Sequence, residues 1–480
     1  MELARKRTNY GSKLPTNSPD WSGLVPVLPG AGPRSQALYR AVRALIESGA
    51  VPPGAKLPTT RDLARRFGLS RAAAIAAFET LVSEGFAEAR VGAGTFVAQN
   101  VPRLRPANAE RHPPDPAAPQ PALPLTVGVT APDPRTTRIF RQLMTRHLAR
   151  PPAELFRYGD PRGSLVLREA IAAYIGAARG VRCRPHQIVI TAGAQQGLDL
   201  LIRAIIQPGD AVWVEDPCYP MALTALRGAG ARVSGVPVDE EGLDPASGEK
   251  HCPQAKAVYV TPSHQFPLGV TMTMRRRLAL IDWARRNQAW IIEDDYDSEF
   301  RYGGPPLTAL QGMDGSGRVA YVGTFSKILF PGLRTGYLVA PEPLLEAVLA
   351  ARARSDRFPP VLTEAPLAEL ITRGHFAAHL RRVRRRVQAG RDVLAATLRA
   401  HAGERLDFAM PEQGLHMVAR LKGEKADVEI AAAAKKAGIG ARALSPMFVD
   451  RPPQQGLVLG FSSFTPAEIR ASAMRLCELL

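Results

Sequence analysis

At 480 residues, 45% of them hydrophobic and 22% charged, the chain is longer than one domain of about 100–200 residues and too apolar to be disordered throughout. Its 62 lysines and arginines against 44 acidic residues leave a net charge of +18, which admits phosphate-bearing partners without establishing one. Four scattered cysteines, Cys183, Cys218, Cys252 and Cys477, exclude a disulfide framework and a zinc site, and the proline-broken stretch Leu24–Leu28 is too short for a signal peptide or membrane span; a cytoplasmic protein with no membrane partner and no metal is expected.

Residues 1–33 are basic and proline-bearing and predict a flexible lead-in. From Arg34, the residues Leu38, Val42, Leu45 and Ile46 share one helical face, with Gly49 as a stop. Thr59 or Thr60 can cap a short helix containing Leu63, Ala64 and Phe67 that ends at Gly68. Ser70 caps another, running through Ile75, Phe78, Leu81 and Val82 to Gly85. Two apolar runs, 86–89 and 95–98, flank an Arg90 turn with Gly92 and Gly94, which predicts a hairpin. Residues 34–98 therefore read as a winged helix-turn-helix domain of α+β type.

Residues 99–124, rich in proline, alanine and charge, predict a semi-extended linker. Residues 125–480 alternate helices, such as 163–178 and 194–206, with short apolar strands at 188–191, 211–215, 257–261, 289–293, 320–323 and 336–340. That alternation marks an α/β domain with a central sheet. A long arginine-rich helix near 376–399 and a smaller α+β subdomain, about 366–480, close the chain.

A recognition helix needs its N-terminal residues free to meet phosphates and base edges. Ser70 and Arg71 stand at that end, Arg61 opens the preceding helix, Arg65 and Arg66 close it, and the wing offers Arg90 with backbone amides from Gly92 to Gly94. Any one arginine is explained by solvation of a small domain; the set, in this order, predicts a double-stranded DNA operator as partner. The segment LPTTRDLARRFGLSRAAAIAAFETLVSEGFAEARVGAGTFVA resembles the GntR-type winged helix. The resemblance implies DNA contacts by Arg61, Ser70, Arg71 and the wing from Arg90 through Gly92, Gly94 and Thr95. Ala73 and Ala93 stand where a threonine and a serine are common, each deleting a phosphate-side hydroxyl.

Pyridoxal phosphate requires a lysine, an acid at the pyridine nitrogen, an aromatic over the ring, a donor to the phenolic oxygen and a phosphate cradle. Lys327 ends GTFSK after a strand, beside Thr324 and Ser326, and Arg334 in PGLRTGY can add a guanidinium to the phosphate. Asp294 follows the strand WIIED, and Tyr296 two residues on can reach the phenolic oxygen. The helix starting Ala194, Gln195, Gln196 offers free amides to an anion, and Tyr219 in EDPCYP can stack on the ring. All follow the C-terminal ends of predicted strands, where open α/β sheets bind ligands. Singly, each has an ordinary reading as a solvated lysine, a helix-capping aspartate or a packing tyrosine; in this order they form a set.

From about Leu155 to Leu480 the chain resembles the aspartate-aminotransferase fold, fold type I among pyridoxal-phosphate proteins. YGDPRGSLVLREAIAAYI, TAGAQQGLDL, PSHQFPLG, EDDYDSEFRY and GTFSKILFPGLRTGY look like the MocR regulators, which fuse a GntR-type winged helix to that fold. The resemblance implies Lys327 as the Schiff-base lysine, Asp294 at the ring nitrogen, Tyr296 at the phenolate, Tyr219 over the ring, and Gln195, Thr324, Ser326 and Arg334 at the phosphate. Tyr158 matches a tyrosine that reaches the neighbouring subunit's phosphate, implying a head-to-tail homodimer with shared sites.

Relatives that sense amino acids hold the effector's carboxylate with two arginines, but those places here hold Met221 and Val458. A buried carboxylate without a cation is poorly tolerated, so an α- or γ-amino acid held in that way is not expected. Pyridoxal phosphate itself is the first expected effector, and an amine held through Arg227, His264 or His416 the second. Arg381, Arg382, Arg384, Arg385 and Arg386 read as a solvated, salt-bridged helix face rather than a second DNA track. The expected function is a transcription regulator, not a turning-over enzyme, in which cofactor or effector at Lys327 alters operator binding. An active aminotransferase with an accessory DNA-binding domain and a cofactor-free dimerisation scaffold are the alternatives.

Overall fold

The computed structural model describes residues 33–101 and 122–480; the expected lead-in and most of the expected linker lie outside the described residues. The chain divides into two compact units, Met1–Gln120 and Pro121–Leu480. The first contains α1 (Arg34–Glu47), α2 (Thr60–Phe67), α3 (Arg71–Ser83) and an antiparallel hairpin of β1 (Ala87–Arg90) and β2 (Gly94–Val97). Thr59 caps α2 by accepting from the Asp62 amide at 3.2 Å, and Ser70 caps α3 by accepting from the Ala73 amide at 3.1 Å. Between the hairpin strands Gly92 and Gly94 have φ of 76° and 110°, conformations that side chains with a Cβ disfavour.

Leu38, Val42 and Ile46 of α1 pack with Leu63, Phe78, Leu81 and Val97 to form this unit's core. In α3, Ile75 and Val82 are 37% and 38% exposed, whereas Ala74 and Ala77 are buried. The buried stripe is 74, 77, 78 and 81, at helical spacing, and Ile75 and Val82 sit about 100° around the helix from it. Small residues in the stripe let α3 come close to α1, so the larger side chains are turned outward.

The second unit is built on an eight-stranded sheet of β3 (Ile188–Thr191), β4 (Ala211–Asp216), β5 (Arg232–Asp239), β6 (Gly242–Leu243), β7 (Ala257–Val260), β8 (Trp290–Asp295), β9 (Val319–Thr324) and β10 (Gly336–Val339). Its order is β3-β10-β9-β8-β7-β4-β5-β6. The central strands run parallel, and β10 is antiparallel to both neighbours. Every residue of β4 and β9 is buried, as expected of strands covered on both faces. The helices Ala194–Ile205 and Glu342–Ser355 pack together against one face; Trp283 of the helix Met274–Arg286 stacks on Trp213 of β4 with ring centroids 4.0 Å apart.

Asp294 does not follow β8, as the sequence suggested, but belongs to it. Asp294 and Asp295 stay in the ladder opposite Val322 and Gly323 of β9, and their carboxylates find buried partners: Tyr259 donates to Asp294 at 2.7 Å, and Arg179 to Asp295 at 2.7 Å. A second, antiparallel sheet is made of β11 (Leu406–Asp407), β12 (His416–Leu421), β13 (Arg442–Ala443) and β14 (Gly456–Gly460), in the order β11-β12-β14-β13. The helix His375–Ala402 packs against the helix Pro466–Leu479 beside it.

Three of the five clustered arginines on His375–Ala402 are committed within this unit. Arg382 pairs with Asp133 at 2.6 Å, Arg384 donates to the Glu299 carbonyl at 3.0 Å, and Arg386 donates to the Ala131 carbonyl. Arg381 and Arg385 are exposed. Among the described residues no helix is long and apolar enough to cross a membrane, and the four cysteines are unpaired.

Candidate functional site

On the N-terminal unit, Arg61 in the first turn of α2, Ser70 and Arg71 at the start of α3, and Arg90, Gly92 and Gly94 in the hairpin are all exposed; Thr95 is half-buried, and its carbonyl accepts from the Leu57 amide at 2.8 Å. The cap bond uses an acceptor lone pair of Ser70 and leaves its hydroxyl hydrogen to donate outward. Arg90 lies over the Phe96 ring, 4.6 Å from its centroid, with Glu88 at 3.7 Å. The wing arginine is thus held in place by an aromatic while its guanidinium edge faces solvent.

In the second unit, eight of the nine residues singled out for a cofactor, all but Tyr158, line one cavity of about 330 Å³. Strand ends and the turns after them place them there. Gln195 follows the N-cap Gly193 (φ 94°) after β3, Tyr219 follows β4, and Asp294 and Tyr296 stand at and just after the end of β8. Thr324 ends β9, with Ser326 and Lys327 behind it. Arg334 has φ of 47°, and its guanidinium donates to the Ala192 carbonyl at 2.7 Å, against the turn that starts the helix Ala194–Ile205.

Lys327 is held from two sides. Its Nζ donates to the Gly128 carbonyl at 2.7 Å, and its own carbonyl accepts from the Thr130 hydroxyl at 2.6 Å. Burial holds the amine below the ordinary lysine range, and the nearby Asp294 and Asp297 oppose that shift. Burial lifts the Asp294 carboxyl to about 6, against the hydrogen bond from Tyr259. Asp294 Oδ1 and Ser326 Oγ are buried without a hydrogen-bond partner. Buried polar atoms are almost always paired, so these two, together with the unpaired His416 Nδ1 in the same cavity, indicate groups that a ligand completes. An unpaired carboxylate oxygen, an unpaired hydroxyl, a half-buried lysine and a guanidinium in one cavity are a donor and acceptor set that fits pyridoxal phosphate.

Behind the cavity, the Tyr296 hydroxyl donates to the His264 carbonyl at 3.0 Å. His264 Nδ1 faces Asp297 at 2.9 Å, which puts its proton on that nitrogen. His416 Nε2 faces the Pro267 carbonyl at 2.9 Å, leaving Nδ1 a buried, unpaired acceptor, and burial followed by His264 pushes its pKa down to about 3. His264, Asp297 and His416 offer atoms within 4.8 Å of one another, a cluster the sequence reading did not anticipate.

Some of the residues singled out in the sequence lie outside this cavity. Tyr158 lies outside the cavity, 78% exposed, edge-on to Phe358 at 5.6 Å and under the Arg357 guanidinium. Neither Arg227, exposed in the last turn of the helix Pro220–Gly228, nor His264 lines the cavity; His416 does. Met221 is exposed, and Val458 is fully buried beside Phe266 and Met447. The sequence reading also missed Gly128, Tyr259 and Arg442, all of which line the cavity. None carries a local signature, because each reaches the site through long-range packing.

A buried carboxylate at the end of a central strand, a lysine one turn beyond the next strand and a guanidinium over a helix start define the aminotransferase class of fold, and residues 132–456 match the aminotransferase class I and II family. Residues 34–97 match the bacterial regulatory proteins of the gntR family. Over 91% of its length the chain is 36% identical to the probable rhizopine catabolism regulatory protein MocR of Rhizobium meliloti, covering 92% of that protein. It is 32% identical to the pyridoxine biosynthesis transcriptional regulator PdxR of Corynebacterium glutamicum, over 90% of this chain and 93% of that one. Among solved structures, an archaeal alanine:glyoxylate aminotransferase matches 75% of this chain and 91% of its own at a TM-score of 0.70 and 29% identity. The chain belongs to the MocR/GntR family of regulators. It is a helix-turn-helix transcription regulator joined to an aminotransferase-like domain.

Proposed function

We propose that this regulator carries pyridoxal 5′-phosphate on Lys327, and that loading by the cofactor, alone or with an amine effector, changes its affinity for a double-stranded DNA operator. The observation that carries the reading is the meeting of Lys327, Arg334 and two unpaired buried acceptors or donors, Asp294 Oδ1 and Ser326 Oγ, in one cavity. When bound, the cofactor supplies an aldehyde that condenses reversibly with an amine and a ring that absorbs visible light.

The lowered pKa of Lys327 favours its neutral, nucleophilic form. Asp294 would hold a proton at the ring nitrogen, Tyr219 would cover the ring, and Tyr296 would offer its hydroxyl to the phenolic oxygen in place of the His264 carbonyl. Gln195, Thr324, Ser326, Arg334 and the amides that open the helix Ala194–Ile205 would hold the phosphate. Tyr158, exposed in the single chain, serves the site of a second copy in a head-to-tail homodimer. DNA is read by residues 34–98 through Arg61, Ser70, Arg71 and the wing residues Arg90, Gly92, Gly94 and Thr95, and the cofactor is held by residues 125–480.

Lys327 also holds the stretch of chain that follows the linker. Gly128 and Thr130 bond to it, while the carbonyls of Leu125 and Val129 accept from Gly460 and Ser462 of the C-terminal sheet. A change at Nζ therefore alters how the first residues after the linker are held. Such a switch works only where the ligand binds two arrangements unequally. The name of the pyridoxine biosynthesis relative supports the cofactor itself as one signal.

The test is the visible absorption spectrum of wild type and Lys327→Ala during titration with pyridoxal phosphate, with operator binding measured on the same samples. A visible band and a shift in DNA affinity are expected in wild type and neither in Lys327→Ala. Wild-type protein with no band and DNA binding indifferent to the cofactor sinks the reading.

A further inference from the structure

His264, Asp297 and His416 are each at most 2% exposed, and one ligand atom from each lies within 4.8 Å of the others. Neighbouring acids show what sets this group apart. Asp295 pairs with the Arg179 guanidinium at 2.7 Å, and Asp216 accepts from the Val449, Asp450 and Arg451 amides at 2.8–2.9 Å. Asp297 has no lysine or arginine partner among the described residues, and its carboxylate faces the His264 ring at 2.9 Å. A buried carboxylate is normally paired with a cation or coordinates a metal.

We propose that His264, Asp297 and His416 bind a divalent transition-metal ion of the zinc class, with its remaining coordination position open to the cavity that His416 lines. Two imidazoles and one carboxylate suit such an ion, whereas Mg2+ and Ca2+ take oxygen ligands. The set contains no cysteine and its members are far apart in the chain, so no ligand spacing announces it. The inference does not depend on the cofactor reading.

A metal-ligating histidine gives one ring nitrogen to the ion and holds the other on a carboxylate, a carbonyl or water. His416 is arranged in this way: Nε2 faces the Pro267 carbonyl at 2.9 Å, and Nδ1 is buried with no partner. His264 Nε2 is likewise buried without a partner, so the ring can carry its proton there while Nδ1, which faces Asp297, turns to the ion. Glycines border that nitrogen. A Cβ on Gly269 or Gly414 would stand 3.1 or 2.7 Å from Nε2, and either would close the space beside the ring.

Distances decide whether the three residues can close on one ion. Ligand atoms bound at about 2.0–2.1 Å to a tetrahedral ion are about 3.3 Å from one another. His264 Nδ1 and Asp297 Oδ2 are already 2.9 Å apart. The 4.8 Å span of the whole cluster leaves His416 at most about 1.5 Å to move, which rotation of its side chain can supply.

The experiment uses untagged full-length protein stripped with chelator, as wild type, His416→Phe and Asp297→Asn, with and without pyridoxal phosphate. Each is titrated with Zn2+, Co2+ and Mg2+, and the metal retained per chain, the Co2+ absorption spectrum and the melting midpoint are read. Wild type is expected to retain one Zn2+ or Co2+ per chain in both cofactor states, to melt higher with the ion than without it, and to ignore Mg2+. Loss of an outer partner alone costs about 10- to 100-fold in metal affinity, so either variant, lacking a ligand, should bind about 100-fold or more weakly, and its melting should no longer respond to the ion. A wild type that retains no Zn2+ or Co2+, or that loses the ion when pyridoxal phosphate is added, overturns the proposal. Equal retention by wild type and both variants places the ion on exposed histidines such as His251 and His401 and overturns it too. Where a variant fails to fold, the wild-type Co2+ spectrum decides: bands of a four- or five-coordinate ion support the site, and the spectrum of the hydrated ion refutes it.

Discussion

The N-terminal unit keeps the residues proposed to meet DNA in solvent: Arg61, Arg71 and Arg90 are exposed, and its core is made by other side chains such as Leu38, Phe78 and Val97. The C-terminal unit buries those proposed to hold the cofactor, with Asp294, Thr324 and Ser326 each under a tenth exposed and Lys327 half-buried. A charge in solvent costs little to keep, whereas a buried carboxyl costs its desolvation until a partner arrives. The contrast implies that substitutions on the DNA face separate function from stability, and that substitutions in the cavity trade one against the other.

Asp294 offers the largest effect. With Asp294→Asn the ring nitrogen loses its buried counter-charge, and cofactor affinity is expected to fall about 100-fold or more. Stability should move the opposite way. Burial lifts the carboxyl to about 6, above the value of about 4 of an unfolded aspartate. A raised folded pKa contributes stability that is full below about pH 4 and lost as pH rises through 6. The cofactor-free variant should therefore melt above wild type at pH 7–8 and together with it near pH 4. A variant that melts lower at neutral pH, or that loads the cofactor as well as wild type, breaks the contrast for the cavity.

The DNA face should show a smaller effect of one kind only. Arg61→Ala or Arg71→Ala is expected to weaken operator binding by about 10- to 100-fold, with a salt slope shallower by about 1 where the contact is to phosphate. The melting midpoint should stay unchanged, because neither side chain enters the core. A fall in that midpoint comparable to a core substitution would show that the exposed arginines also support the fold.

The same contrast explains what the sequence disclosed. Strands β3, β4, β7, β8, β9 and β10 were legible because they are continuous apolar runs, and the cavity residues because they sit at the ends of those runs, where ligands collect. Strand β5 was not, since Ser234, Gly235 and Pro237 interrupt it. The inward face of α3 was not legible because alanine gives no contrast between faces, and burial there follows the approach of α1 rather than side-chain size. Arg442 was hidden because β13 spans two residues, too few for any periodicity to show. Gly128 and the group His264, Asp297 and His416 are brought to the site from distant stretches of chain, and only the folded arrangement relates them to Lys327 and Tyr296.

The smallest expected effect belongs to the arginine helix His375–Ala402, which tests whether exposure alone makes a DNA contact. Arg382, Arg384 and Arg386 are tied to Asp133, Glu299 and Ala131, so removing them would disturb packing and confuse the result. Arg381 and Arg385 are exposed and uncommitted to such contacts, and their replacement together by glutamine changes charge with little change in structure. If they only solvate the helix, operator affinity and its dependence on salt should match wild type, because the slope counts the phosphates neutralised. A slope shallower by about 2 would place both arginines on the DNA backbone. It would also mean that the C-terminal unit carries solvent-facing functional residues of the kind that otherwise distinguish the winged helix.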